Sequence, residues 1–136
     1  LETLLPDWRS GRIKQALIAR LLAFRRTKPA LFATGSYEPL AISGERARHL
    51  IGFVRRADGA ALVVLAPRFP GAVLGTGDRP VLPAQFWEDT HIAFPGTRDG
   101  AADDLLGGRA IDRDRATCAA HLLAQVSIAA LFIPRR

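Results

Sequence analysis

His49-Leu50-Ile51-Gly52-Phe53-Val54-Arg55-Arg56, a turn at Asp58-Gly59, and then Ala61-Leu62-Val63-Val64-Leu65-Ala66 decide the fold of this chain. Apolar and β-branched residues on both sides of an Asp-Gly pair are a strong hairpin signal, because that pair suits the dihedrals of a two-residue turn. Pro67 closes the second strand. Upstream, Tyr37-Glu38-Pro39-Leu40-Ala41-Ile42 reads as a short strand, and Pro39 asks for an edge position because proline lacks the ladder donor. Downstream, residues 69–90 are broken by Pro70, Gly71, Gly75, Gly77, Pro80 and Pro83, and read as an irregular crossing that holds one short strand. His91-Ile92-Ala93-Phe94 is a further strand, stopped by Pro95, and residues 96–108 read as a polar, glycine-rich loop around Leu105-Leu106. Arg109-Ala110-Ile111 leads into a turn through Asp112-Arg113-Asp114. In the apolar tail, residues 117–121 and 128–133 are the strand candidates, with a turn or helical turn between them, although periodicity alone does not exclude a helix there. Six to eight short strands with many turn residues predict an antiparallel sandwich or barrel.

Ahead of the strands, residues 8–28 read as one helix, with Asp7 or Ser10 able to cap its start and Pro29 and Gly35 marking its end. On a helical wheel Ile13, Leu17, Leu21 and Phe24 fall within about 80°. Ile18 and Leu22 widen that arc to nearly half the circumference, while Lys14 and Arg25 interrupt it. So wide an arc exceeds what one sheet can cover. Either the chain's own loops cover both sides, or one side meets something outside the chain.

The chain has 136 residues, 49% hydrophobic and 24% charged, which suits one globular domain and is too apolar for disorder. No apolar run is long enough for a membrane-spanning helix. The single Cys118 makes no internal disulfide, and it reads as a buried small hydrophobe. Net charge is +6, and Arg supplies all of the nineteen basic residues except Lys14 and Lys28. Seven basic and two acidic groups lie within residues 1–28, and the remainder is nearly balanced. No aromatic–basic alternation accompanies that charge, so a nucleic-acid partner is not expected. Leu1 stands where an initiator Met is expected and the chain contains no Met, so it reads as a piece of a longer protein. No signal-peptide pattern precedes Trp8.

Catalytic motifs are missing. The glycines at 71, 75 and 77 are not followed by the Lys and Ser/Thr of a phosphate-binding loop, nor do they sit between a clear strand and helix. His49, His91 and His121 lack the local pairing of metal ligands, so no metal is expected. The carboxylate pairs Glu88-Asp89, Asp103-Asp104 and Asp112 with Asp114 read as solvated loop groups, and no catalytic residue is assigned. Trp8, Tyr37 and Trp87 are candidates for carbohydrate contact, since sugar faces pack on aromatic rings, with core packing the simpler reading for Trp87.

Several segments together resemble the C-terminal region of the maltooligosyltrehalose synthase family, or (1→4)-alpha-D-glucan 1-alpha-D-glucosylmutases, within the alpha-amylase superfamily. They are Trp8-Arg9-Ser10-Gly11-Arg12-Ile13-Lys14-Gln15, Leu21-Leu22-Ala23-Phe24-Arg25-Arg26, Pro29-Ala30-Leu31-Phe32 and Gly35-Ser36-Tyr37-Glu38-Pro39-Leu40. His49 with Phe53-Val54-Arg55, Ala66-Pro67-Arg68, Trp87-Glu88-Asp89-Thr90, Leu106-Gly107-Gly108, Leu122-Leu123-Ala124 and Ala129-Ala130-Leu131 continue the likeness over essentially the whole chain. Ser127 departs from the proline usual there, and residues 69–83 follow the pattern loosely.

The resemblance implies a mainly β fold: an N-terminal helix, then an antiparallel β-sandwich like the superfamily's C-terminal domain. It implies that residues 1–34 are a helical segment ending a catalytic barrel and that residues 35–136 are the C-terminal β-domain. Ile13, Leu17, Leu21, Phe24, Leu31 and Phe32 would then pack against the parent barrel of the same polypeptide. The family's isomerase reaction turns the reducing-end α-1,4 bond of a maltooligosaccharide into an α,α-1,1 bond, a step of cytoplasmic trehalose biosynthesis. Its catalytic carboxylates lie upstream of the matched region, so this piece is expected to be inactive alone and to need no cofactor. Expected partners are the barrel and, through it, maltooligosaccharide, with no membrane and no nucleic acid. The isolated piece would self-associate if an apolar face were left bare.

Overall fold

The computed structural model describes residues 1–74, 79–94, 100–113 and 117–135. The chain adopts the expected class, mainly antiparallel β behind an N-terminal helix. Kinked 3-10 turns over Glu2–Ser10 lead to Gly11, whose φ of 78 separates them from α1 (Arg12–Thr27). The single helix expected over 8–28 is therefore shorter and begins after that break. Ser10 does not cap in the usual way: its hydroxyl donates to the Asp7 carbonyl and accepts from the Arg12 N–H. Pro29 opens a second short helix, α2 (Pro29–Ala33), where its missing N–H costs nothing.

β1 (Ser36–Pro39), β3 (Leu50–Ala57), β4 (Ala60–Pro67), β6 (Ala101–Asp104), β7 (Ala110–Asp112) and β8 (Ala129–Ile133) form one antiparallel sheet in the order β1-β3-β4-β8-β6-β7. β2 (Ile42–Ser43) and β5 (His91–Ile92) make a separate two-stranded ribbon, and α3 (Gly71–Leu74) and α4 (Ala119–Leu122) are single helical turns. The hairpin falls where it is expected, Ala57 facing Ala60 across Asp58 and Gly59. Both turn residues have positive φ, 52 and 77, the signature of a type I′ turn. Pro39 does sit on the edge strand, facing Phe53.

Strand alternation splits the core in two. Val54, Val63, Leu65 and Leu131 point to one face, where Leu82, Trp87, Ile92, Leu122 and Leu123 cover them. The ribbon, the 3-10 turn Ala84–Trp87 and α4 thus form the smaller second layer of a sandwich-like arrangement. On the other face Leu62 and Phe132 meet Leu31, with Phe24 and Phe32 packed around them. β8 is buried along its whole length because it lies between both layers, which is why its sequence is apolar without alternation.

Several strand expectations give way. Where a strand is expected over 117–121, residues 119–122 form α4, and only Cys118 bridges, to His91. Ala119 is fully buried, so a small residue in a helical turn lets the chain press against the core there. Cys118 itself is half-buried, not buried. Residues 101–104, read as loop, are β6: Ala102 and Asp104 turn inward while Ala101 and Asp103 face out. Two aspartates hide this strand from a hydrophobic pattern. The described part of 69–90 holds helical turns in place of a strand. Gly75, Gly77, Pro95 and Asp114 lie outside the described residues.

Candidate functional site

Among the described residues no three His, Cys, Asp or Glu side chains come together as a metal site would require. No helix among them is long and apolar enough to cross a membrane. The polar groups that do converge serve the fold. Arg55 donates to the carbonyl oxygens of Leu31 (2.6 Å), Phe32 (3.1 Å) and Gly35 (3.3 Å), fixing the end of α2 to the sheet. Arg20 donates to the Leu106 carbonyl at 2.6 Å and ties α1 to the β6–β7 connection. Asp104, buried, accepts from the N–H groups of Leu106 (3.0 Å) and Gly107 (2.9 Å) and faces Arg109 at 3.5 Å. At the sheet edge the Ser36 hydroxyl, with Arg56 nearby, holds the Glu38 carboxyl below the usual range. A depressed folded-state pKa means this contribution is present above the ordinary Glu range and is lost as pH falls through the lowered value. An NMR titration should place the Glu38 midpoint below the ordinary glutamate value.

The three aromatic candidates for sugar contact part company. Trp87 is 1% exposed and lies in the core, edge-on to Phe86 at 5.2 Å, which removes it as a surface contact. Tyr37 is 63% exposed on β1 and stacks on Phe53 at 4.8 Å. Trp8 is half-buried in the first 3-10 turns, with the Arg9 guanidinium 4.6 Å from its ring centroid. Tyr37 therefore offers the open ring, on a different element from Trp8.

Around Trp87 the turn is strained. Glu88 has φ 47 and ψ −122, the first central position of a type II′ turn closed by the Thr90 N–H donating to the Trp87 carbonyl at 2.8 Å. Glycine normally occupies that position. The turn is clasped by the segment before β3: the Glu45 N–H donates to Asp89 at 2.9 Å and the Arg46 N–H to the Thr90 hydroxyl at 3.1 Å. Arg46 also pairs with Glu88 at 2.8 Å. Because that ion pair is exposed and worth at most about 1 kcal/mol, Glu88→Gly should raise stability by about 1 kcal/mol in urea unfolding.

None of the six residues expected to meet a parent barrel is among the exposed ones, Phe32 being half-buried. Ile13, Leu17, Leu21 and Phe24 are half-buried and Leu31 is buried. Phe24 lies 5.1 Å from Phe132 and 6.2 Å from Phe32, so this part of the arc packs on the chain's own sheet. The remainder of the wide arc is bare: Ile18 is 44% and Leu22 50% exposed. Depressions lie at both ends of that ridge. One of about 420 Å³ is lined by Leu5, Ile13, Leu17, Ile18, Val126 and Ile128 among others. The second, about 380 Å³, is lined by Leu22, Arg25, Arg26, Pro29, Phe32 and Ala33. Beyond the helices, Ile51 (53% exposed), Phe53 and Tyr37 share the outward side of β3 and β1. Sequence reasoning did not single out Ile51, although its two-residue spacing from Phe53 carried the signal.

No family model and no curated protein matches the chain. Among solved structures it is similar to a noncanonic maltogenic alpha-amylase, AmyB, from Thermotoga neapolitana, with a TM-score of 0.42 and 11% identity. That match covers 86% of this chain and 22% of the other, so the chain spans about a fifth of that protein's length.

Proposed function

We propose that this chain is a non-catalytic C-terminal module of an enzyme like the maltooligosyltrehalose synthases, working in the cytoplasm, where it stabilises a catalytic barrel of the same polypeptide. In this reading residues 1–34 belong to the end of the barrel and residues 35–136 to the β-domain. The observation that carries it is the bare ridge of Ile18 and Leu22, set on a helix whose other apolar side is already used by its own sheet. An apolar surface left outside a completed core marks an interaction site. The sequence resemblance supplies the identity of the partner, and the barrel supplies the chemistry.

The test is complementation. A maltooligosyltrehalose synthase truncated before its last barrel helix should regain solubility and glucosylmutase activity when co-expressed with this chain. Leu22→Glu should abolish the rescue. Turnover of maltopentaose by the chain alone would overturn the proposal.

Tyr37, open and backed by Phe53, favours a second reading in which the module also touches maltooligosaccharide. Amide shifts confined to the neighbourhood of Tyr37 during a maltopentaose titration would support it, and Tyr37→Ala should remove them. A flat titration would eliminate this second reading.

A further inference from the structure

The bare side of α1 has a charge pattern as well as an apolar one. From Trp8 to Tyr37 the chain has seven basic residues and no acidic one. On a helical wheel Ile18 and Leu22 lie about 40° apart, with Lys14 and Arg25 within about 40° on one side and Arg26 about 40° beyond Leu22 on the other. All three of these cations are exposed. Arg46, Arg56 and Arg109 form ion pairs, and none of these involves α1. The second depression repeats the combination, lined by apolar Leu22, Pro29, Phe32 and Ala33 together with Arg25 and Arg26. Arg25 is placed over the Phe32 ring at 5.7 Å.

We infer that this face docks an acidic amphipathic helix, one with an apolar stripe flanked by Asp or Glu. The inference rests on the docking reading above and specifies the chemistry of the partner surface. Cations on both flanks of an apolar ridge are complementary to carboxylates on both flanks of an apolar stripe, which steers the encounter and sets its register. A helix suits the relief of the face. Ile18 and Leu22 form a ridge at four-residue spacing, and the adjacent row, Ala19 and Ala23, is exposed and small. Such a row is the groove into which a partner's ridge settles when helices pack.

Other occupants fit less well. A second copy docking through the same face would set Lys14, Arg25 and Arg26 against their own counterparts. An anionic membrane would satisfy the cations, but interfacial binding scales with buried apolar area and this side of the helix offers two large apolar residues.

The experiment uses the isotopically labelled chain and three probes. The first is a helix-locked sixteen-residue peptide with a Leu stripe and Glu flanks. The second is the same peptide with Lys flanks. The third is a suspension of phosphatidylglycerol-containing vesicles. The Glu peptide should shift the amides of α1 around residues 14–26 and bind about tenfold tighter than the Lys peptide at low salt, with the advantage lost near about 0.5 M NaCl. Leu22→Glu should abolish those shifts, and since the side chain is exposed, its unfolding midpoint should match that of the parent chain. Equal binding of the two peptides would overturn the acidic partner while leaving the docking reading intact. Capture by vesicles without peptide binding would overturn the helix as occupant. If α1 shifts with no probe, both the inference and the docking face fall.

Discussion

Trp87→Ala should lower the unfolding free energy by about 3–5 kcal/mol, the range for removing a large aromatic from a core that cannot close around the gap. The ring is 1% exposed among Leu65, Leu82, Ile92, Leu122 and their neighbours, at the point where the smaller layer meets the sheet. Its indole N–H has no hydrogen-bond partner among the described residues. Trp87→Phe therefore removes a buried donor along with part of the ring, and should cost about half as much or less. Urea unfolding of both variants provides the measurement. A loss under about 1 kcal/mol for Trp87→Ala, well short of the core-truncation range, would place the ring outside the core.

Gly44→Ala is expected to cost about 2–4 kcal/mol, from backbone strain added to overpacking against main-chain atoms. Gly44 has φ 103, and a Cβ there would stand 2.5 Å from the Asp89 carbonyl oxygen and 2.7 Å from the Thr90 Cα. Neither neighbour can swing aside as a long side chain could. The damage should spread, because Glu45 and Arg46 lose their hold on Asp89 and Thr90 when the loop lifts. Gly71→Ala is the control: a Cβ there meets nothing within 4 Å, so stability should change by no more than about 0.5 kcal/mol. Equal effects at the two glycines would show that the close approach of the 44–46 segment to the 87–90 turn is absent.

Both predictions concern a junction that joins residues more than forty positions apart, and this is where legibility in the sequence ends. The β3–β4 hairpin is local: its strand pattern and its Asp-Gly turn lie within twenty residues, and period and turn chemistry agree. Pro39 marks an edge because a missing donor has the same consequence in any fold. β6 escapes notice because Asp103 and Asp104 break the apolar pattern, and Asp104 becomes tolerable inside only when Arg109 and two N–H groups meet it. Residues 117–121 suited either strand or helix by composition, and the space beside the 3-10 turn at Trp87 decided for α4. For the candidate site, the sequence alone determined that α1 carries more apolar surface than one sheet can cover, and that its flanks are basic without acids. Which side stays open was decided by tertiary structure. The helix must choose one azimuth on the sheet, and burying Phe24 against Phe132 at 5.1 Å turns Ile18 and Leu22 outward. For the aromatics the sequence already favoured core packing for Trp87, and the packing of distant segments settles it there while leaving Tyr37 on the edge. Periodicity records how much apolar surface an element has, whereas the long-range contacts that consume it exist only after the chain has folded.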